Sequence, residues 1–195
     1  MINYPNGKKP TENVLKKNRK SSSSFSSANR GMNLESDINK SNEYYAINNI
    51  AFITKRPTPI NIVKVDYSKG AKIVDAYFEK QSTTDYNGVY KGKYIDFEAK
   101  STINKTSFPL HNIYVHQIKH LENVISAGGI AFFIIEFASH NEIYLVDAKM
   151  IIDFYHNAER KSIPYTLIKE KCPLLKQALN PRIDYIEAVN KLYFE

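Results

Sequence analysis

Asp85, Glu98 and Lys100 are the residues of this 195-residue chain whose types and spacing could do chemistry. Asp85 stands in Thr83-Thr84-Asp85-Tyr86-Asn87-Gly88, whose Asn-Gly pair reads as a short turn. Glu98 and Lys100 stand in the strand-like run Tyr94-Ile95-Asp96-Phe97-Glu98-Ala99-Lys100. Alternate residues of a strand point to the same side, so Glu98 and Lys100 share one face while Phe97 and Ala99 share the other. Carboxylates gathered in one place repel each other, and a bound divalent cation is the natural compensation. Such an ion takes oxygen ligands, and a lysine beside it can offset charge developing on a phosphate or orient an attacking water. The residue types suit metal-assisted phosphodiester hydrolysis.

The elements that must position these groups read as mixed α/β. Residues 33–49 carry Leu34, Ile38, Tyr45 and Ile47 among polar positions, which predicts an amphipathic helix. Residues 51–54 predict a strand ended by Arg56-Pro57-Thr58-Pro59. Residues 60–67 and 71–78 predict two further strands around the Ser68-Lys69-Gly70 turn. A helix is expected over 111–125, closed by Gly128-Gly129. Residues 130–137 and 142–146 predict a strand pair, and 148–158 and 183–192 predict helices; 164–181 gives no clear pattern. The order implies a mixed sheet flanked by helices.

Composition narrows the function. The chain is long enough for one domain with a full core, and its 43% hydrophobic content is ordinary. No apolar run reaches the ~20 residues of a membrane span, and the N-terminus lacks the apolar stretch of a secretory signal. Cys172 is the single cysteine, which excludes an internal disulfide framework and a cysteine-rich zinc site. A cytoplasmic protein with no membrane partner is expected. The net charge of +7 is uneven: residues 1–30 hold seven basic residues against Glu12, or +6. Residues 1–28, rich in Ser, Asn and Lys, predict a basic arm that stays disordered until it meets a partner such as a phosphate backbone. Residues 29–195 then form the folded domain.

The same residues carry a resemblance. Asp85 followed by Glu98-Ala99-Lys100 resembles the PD-(D/E)XK nuclease motif. Asn29-Arg30-Gly31-Met32, Lys55-Arg56-Pro57-Thr58-Pro59, residues 82–88 and 94–100, Thr106-Ser107-Phe108-Pro109-Leu110, His116-Gln117-Ile118 and Pro181-Arg182-Ile183-Asp184-Tyr185 resemble the RecU family of Holliday junction resolvases. The resemblance implies a restriction-endonuclease-like core with a projecting β stalk at about residues 55–80. It implies a homodimer that nicks two strands of four-way junction DNA during recombination and repair, with a recombinase and a branch-migration helicase as further partners. It further implies that Thr83, Asp85, Glu98 and Gln117 gather around Mg2+, with Mn2+ as a substitute, and that Lys100 stabilises the transition state. Two other readings stay open: a nonenzymatic strand-annealing accessory that modulates a recombinase, and a site-specific endonuclease that cuts linear duplex.

Smaller constellations bear on recognition. Lys55, Arg56, Lys64, Lys69, Lys72 and Lys80 cluster in the expected stalk with Tyr67, Tyr77 and Phe78 interleaved. The aromatics suit either cross-strand packing or stacking on unpaired bases. Arg30, Lys55, Arg56, Lys69 and Lys72 are the expected DNA contacts. His116 and His120 lie four apart on one helix, but the general-base Glu of a zinc-protease helix is replaced by Gln117, so DNA-facing or surface histidines are expected. Asp96 shares the face of Glu98 in a supporting role, and Glu35 could orient a metal-bound water. There is no phosphate loop or dinucleotide fingerprint.

Overall fold

The computed structural model describes residues 27–79 and 83–195, with side chains from Asn33 onward. Most of the basic arm expected at residues 1–28 lies outside the described residues. The chain begins with α1 (Ser27–Ile47) and β1 (Phe52–Lys55), then β2 (Ile60–Asp66) and β3 (Lys72–Phe78). β4 (Tyr86–Tyr90), β5 (Lys93–Thr102) and β6 (Ser107–Pro109) follow, then α2 (Val115–Ser126), β7 (Ile130–Phe137), β8 (Glu142–Asp147) and α3 (Ala148–Asn157). β9 (Ser162–Pro164), α4 (Tyr165–Lys171), β10 (Lys176–Gln177), β11 (Ile183–Asp184) and α5 (Tyr185–Tyr193) complete it.

A five-stranded sheet in the order β1-β4-β5-β7-β8 forms the centre. β5 and β7 run parallel with α2 as their crossover, and the other neighbours are antiparallel. Alternation along the strands builds two cores, one on each face. On one face Ile95, Phe97, Phe132 and Ile134 pack with Leu34 and Ile38 of α1 and Ile186 and Val189 of α5. On the other, Phe133, Ile135 and Val146 pack with Ile118 and Leu121 of α2, Ile151 of α3 and Ile168 of α4. β7 is therefore apolar on both sides, as a strand buried between two helix layers must be. The mixed sheet flanked by helices is the architecture the sequence implied.

The strands β2 and β3 leave this body as a separate two-stranded hairpin. Ile62, Val63, Tyr67, Val74, Tyr77 and Phe78 along it are exposed. Its root is defined on one side by Pro57 and Pro59, whose fixed φ stiffens the link, and by the Glu79 N–H donating to the Pro59 carbonyl at 2.9 Å. The hairpin occupies the range expected for a stalk.

Three local expectations are corrected. Asn87-Gly88 is not a turn but lies inside β4, paired to β1 and β5. A Cβ on Gly88 would stand 2.1 Å from the Phe52 carbonyl oxygen, so glycine is there for the close approach of β1. The turn falls at Lys91-Gly92, both with positive φ (46° and 74°), between the paired Tyr90 and Lys93. The helix expected from residue 111 starts at Val115, because Leu110–Asn112 forms a 3-10 turn and Tyr114 is an extended cap. The last helix starts at Tyr185: Ile183–Asp184 is a strand, and Asp184 caps the helix by accepting from the Glu187 N–H.

Candidate active site

The hairpin between β4 and β5 brings the acidic residues together. Its register pairs Tyr86 with Phe97, which sets Asp85 opposite Glu98 one step further along. Phe97 is stacked between Tyr86 at 4.8 Å and Phe132 of β7 at 4.7 Å, an aromatic ladder across three strands that holds this register from the opposite face. Asp96, Glu98 and Lys100 all project toward the α2 side.

Asp85, Glu98, Lys100 and Gln117 line one cavity of about 410 Å³, with Glu35, Tyr114 and His116 at its walls. Glu98 is buried and held by three donors. The Asp85 N–H reaches Oε2 at 3.1 Å, while Gln117 Nε2 and Lys100 Nζ reach Oε1 at 2.6 Å and 2.8 Å. Burial raises its pKa, Lys100 pulls it back and Asp85 adds to the rise; the carboxyl is pushed up to about 7. The Lys100 ammonium also lies 5.7 Å from the centre of the Tyr114 ring, which is stacked on His116.

Gln117 does more than its residue type suggested. It is buried, and its Oε1 accepts the Tyr114 N–H at 3.1 Å, so one side chain caps α2 and fixes Glu98. Thr83 is not among the cavity residues; its hydroxyl stands 3.5 Å from the Thr84 carbonyl. Glu35 lines the cavity and is ion-paired with Lys55.

Two residues away from Glu98 on the same face, Asp96 has the opposite fate. It is fully buried and accepts from Tyr94 Oη at 2.8 Å, from Arg56 Nη2 at 2.7 Å and from the Thr84 hydroxyl; His120 Nε2 lies 2.9 Å away. Burial alone would raise its pKa, but the hydrogen bonds from Arg56, Thr84, His120 and Tyr94 together hold it below the usual carboxylate value. Asp96 is an anchor, not a cavity residue.

Arg56, expected at DNA, is placed by the structure in these same contacts. Its guanidinium bonds Asp96, Thr84 and Tyr94, and only 19% of the side chain is exposed. Lys69 and Lys72 are exposed on the hairpin, and the Arg30 side chain lies outside the described residues. His120 is tied to Asp96, away from the surface role expected of it. The residues that sequence reasoning missed are Thr84 and Tyr94, which both donate to Asp96; the signal was that Thr84 precedes Asp85 and that Tyr94 stands two residues before Asp96 on the same face of β5.

The donor set favours one kind of metal. Among the described residues no three His, Cys, Asp or Glu side chains converge on a common point. What the cavity offers is the carboxylates of Asp85, Glu98 and Glu35, with the ionisation of Glu98 resisted by burial. That set fits a hard cation which keeps much of its water shell, and it does not fit zinc.

Fold and cavity define the class: an α/β/α nuclease with two carboxylates and a lysine on a central hairpin. The model of the family described as Recombination protein U matches residues 29–191, and this chain belongs to that family. It is 51% identical over 198 residues to a Bacillus cytotoxicus protein named Holliday junction resolvase RecU, covering 99% of this chain and 98% of that one. A relative of the same name from Oceanobacillus iheyensis is 52% identical over 200 residues, covering 99% and 100%. Among solved structures, Archaeoglobus fulgidus Hjc, a Holliday junction resolvase, matches 72% of this chain and 93% of its own at 9% identity and a TM-score of 0.42.

Proposed function

We propose that this chain resolves four-way DNA junctions by magnesium-dependent nicks, acting as a homodimer in the cytoplasm. The observation that carries the reading is the intact Asp85, Glu98 and Lys100 set within one cavity, in a chain half identical over its full length to proteins named as resolvases. A binding accessory has no chemical use for that set. Asp85 and Glu98 are the residues that would hold the cation; Gln117 and the Asp85 N–H orient Glu98 so that its carboxylate need not be reorganised. A divalent ion held there supplies a Lewis acid for a phosphate oxygen and a more acidic water. Lys100, sheltered with 18% of its side chain exposed, stands where a positive charge offsets the charge that develops on a phosphate. The exposed basic hairpin reaches for the open centre of the junction, and two copies would give the paired nicks. Manganese, a hard cation of similar ligand preference, substitutes for magnesium in this reading. A recombinase and a branch-migration helicase are the further partners of the proposal.

The test is cutting of a synthetic four-way junction with magnesium, with EDTA and by Asp85→Ala. Symmetric nicks are expected with magnesium alone, and the Asp85→Ala chain should bind the junction without cutting it. Cutting by that variant would sink the cation assignment; cutting of linear duplex at fixed sequences would favour the site-specific endonuclease.

A further inference from the structure

Arg56 occupies a position that the nuclease reading does not explain. It is the first residue beyond β1, where the chain leaves the sheet for the stalk, and three of its bonds reach the segment that carries Asp85. Its N–H donates to the Asp85 carbonyl at 2.7 Å. Its Nη1 donates to the Thr84 carbonyl at 3.1 Å and the Thr84 hydroxyl at 2.6 Å, and its guanidinium closes on Asp96, to which the Thr84 hydroxyl also donates. Thr84 and Asp96 are both fully buried. The next link is the Asp85 N–H on Glu98 Oε2 at 3.1 Å. One guanidinium thus braces the Thr84–Asp85 bend that carries one of the two cavity carboxylates, and β4 itself begins only after that bend.

We infer that Arg56 is a positioning residue for the metal site: it fixes the Thr84–Asp85 turn against Asp96, and through it the placing of Asp85 relative to Glu98. The inference rests on the nuclease reading for its purpose and on the geometry for its content. A planar fork suits the task because it bonds a carbonyl, a hydroxyl and a carboxylate at once. Groups that orient metal ligands without touching the metal change metal affinity by about 10-fold to 100-fold when removed. Arg56 also joins this turn to the stalk root through the stiff Pro57-Thr58-Pro59 link, so the cavity and the hairpin share one brace.

The experiment compares the full chain with Arg56→Gln and Arg56→Lys. Melting temperature against MgCl2 without DNA gives the magnesium half-saturation; junction affinity is measured in EDTA across a salt series; single-turnover cutting is followed against magnesium. Arg56→Gln is expected to raise the half-saturation about 10-fold by melting and by cutting. Its junction affinity and salt slope should stay those of the parent, and Arg56→Lys, which keeps the charge but not the fork, should recover little of the cation affinity. Weaker junction binding with a flatter salt slope and an unchanged half-saturation would make Arg56 a phosphate contact and overturn the inference. A lower melting temperature with an unchanged half-saturation overturns it too, as does a parent whose melting ignores magnesium. If Arg56→Gln fails to fold, Thr84→Val removes the hydroxyl between Arg56 and Asp96 at nearly constant volume and carries the same expectation. Because the melting arm needs no cutting, a parent that binds magnesium yet leaves junctions whole would sink the nuclease reading while still deciding the role of Arg56.

Discussion

Two carboxylates two residues apart on β5 are driven in opposite directions by their neighbours. Asp96 is surrounded by donors and stays ionised, while Glu98 faces burial and Asp85 and is pushed up to about 7 from an ordinary 4.5. The separation divides labour: one carboxylate anchors the fold, and the other is the one the proposed cation would engage. The sign of the pH effect follows. A folded value above the unfolded one stabilises fully below about pH 4.5 and loses that contribution as pH rises through about 7, because the charged form is the disfavoured one. Cation binding needs that charged form. At pH 8 Glu98 is mostly ionised, and at pH 6 a proton must leave, so magnesium half-saturation should be about 10-fold higher at pH 6 than at pH 8. Calorimetric titration at the two pH values, in buffers of different ionisation enthalpy, reads both the affinity and the released proton. Equal affinities and no proton release would show that Glu98 is already ionised at pH 6.

At the scale of elements, the hairpin explains what the sequence made legible and what it hid. The alternation of β5 was readable, because Ile95 and Phe97 are apolar on one face while Glu98 and Lys100 are polar on the other, and the cores obey that split. The 13-residue interval from Asp85 to Glu98 was readable only as a pattern. Its meaning lies in pairing: a two-residue turn at Lys91-Gly92 sets those two residues opposite each other. Asn87-Gly88 masked that turn, because a glycine required by close contact with β1 carries the same letters as a glycine required by positive φ. The internal partner of Arg56 was hidden for a similar reason, since a basic residue at a stalk root carries no sign of a buried Asp96 forty residues on. Lys69 and Lys72 are exposed and have no such buried partner among the described residues. Replacing both with Glu should lower the slope of log affinity against log salt for the junction by about 2. Melting temperature should move by no more than about 2 °C. Filter binding across salt and a thermal scan suffice, and an unchanged slope would remove the stalk from the DNA surface.

Over the whole molecule, charge is partitioned as sharply as the cores are. Residues 1–30 carry seven basic residues against one acid, +6, and residues 55–80 carry six against three, +3. With +7 in total, everything else sums to −2. The body that holds the cavity is therefore slightly repellent to a phosphate backbone, and its cavity carboxylates add to that locally. Long-range attraction has to come from the two basic extensions, and the cavity must meet DNA that they have already gathered. Residues 1–26 hold six basic residues against Glu12. If each basic residue meets one phosphate, deleting 1–26 should lower the salt slope by up to about 5 and weaken junction binding most at low salt. The magnesium half-saturation of the truncated chain, read by melting, should equal that of the full chain, because Asp85, Glu98 and Gln117 all lie outside the deleted segment. A truncated chain that keeps the full salt slope would place the DNA-gathering charge on the hairpin alone, and the reversed Lys69 and Lys72 chain would then be expected to lose nearly all of its junction binding.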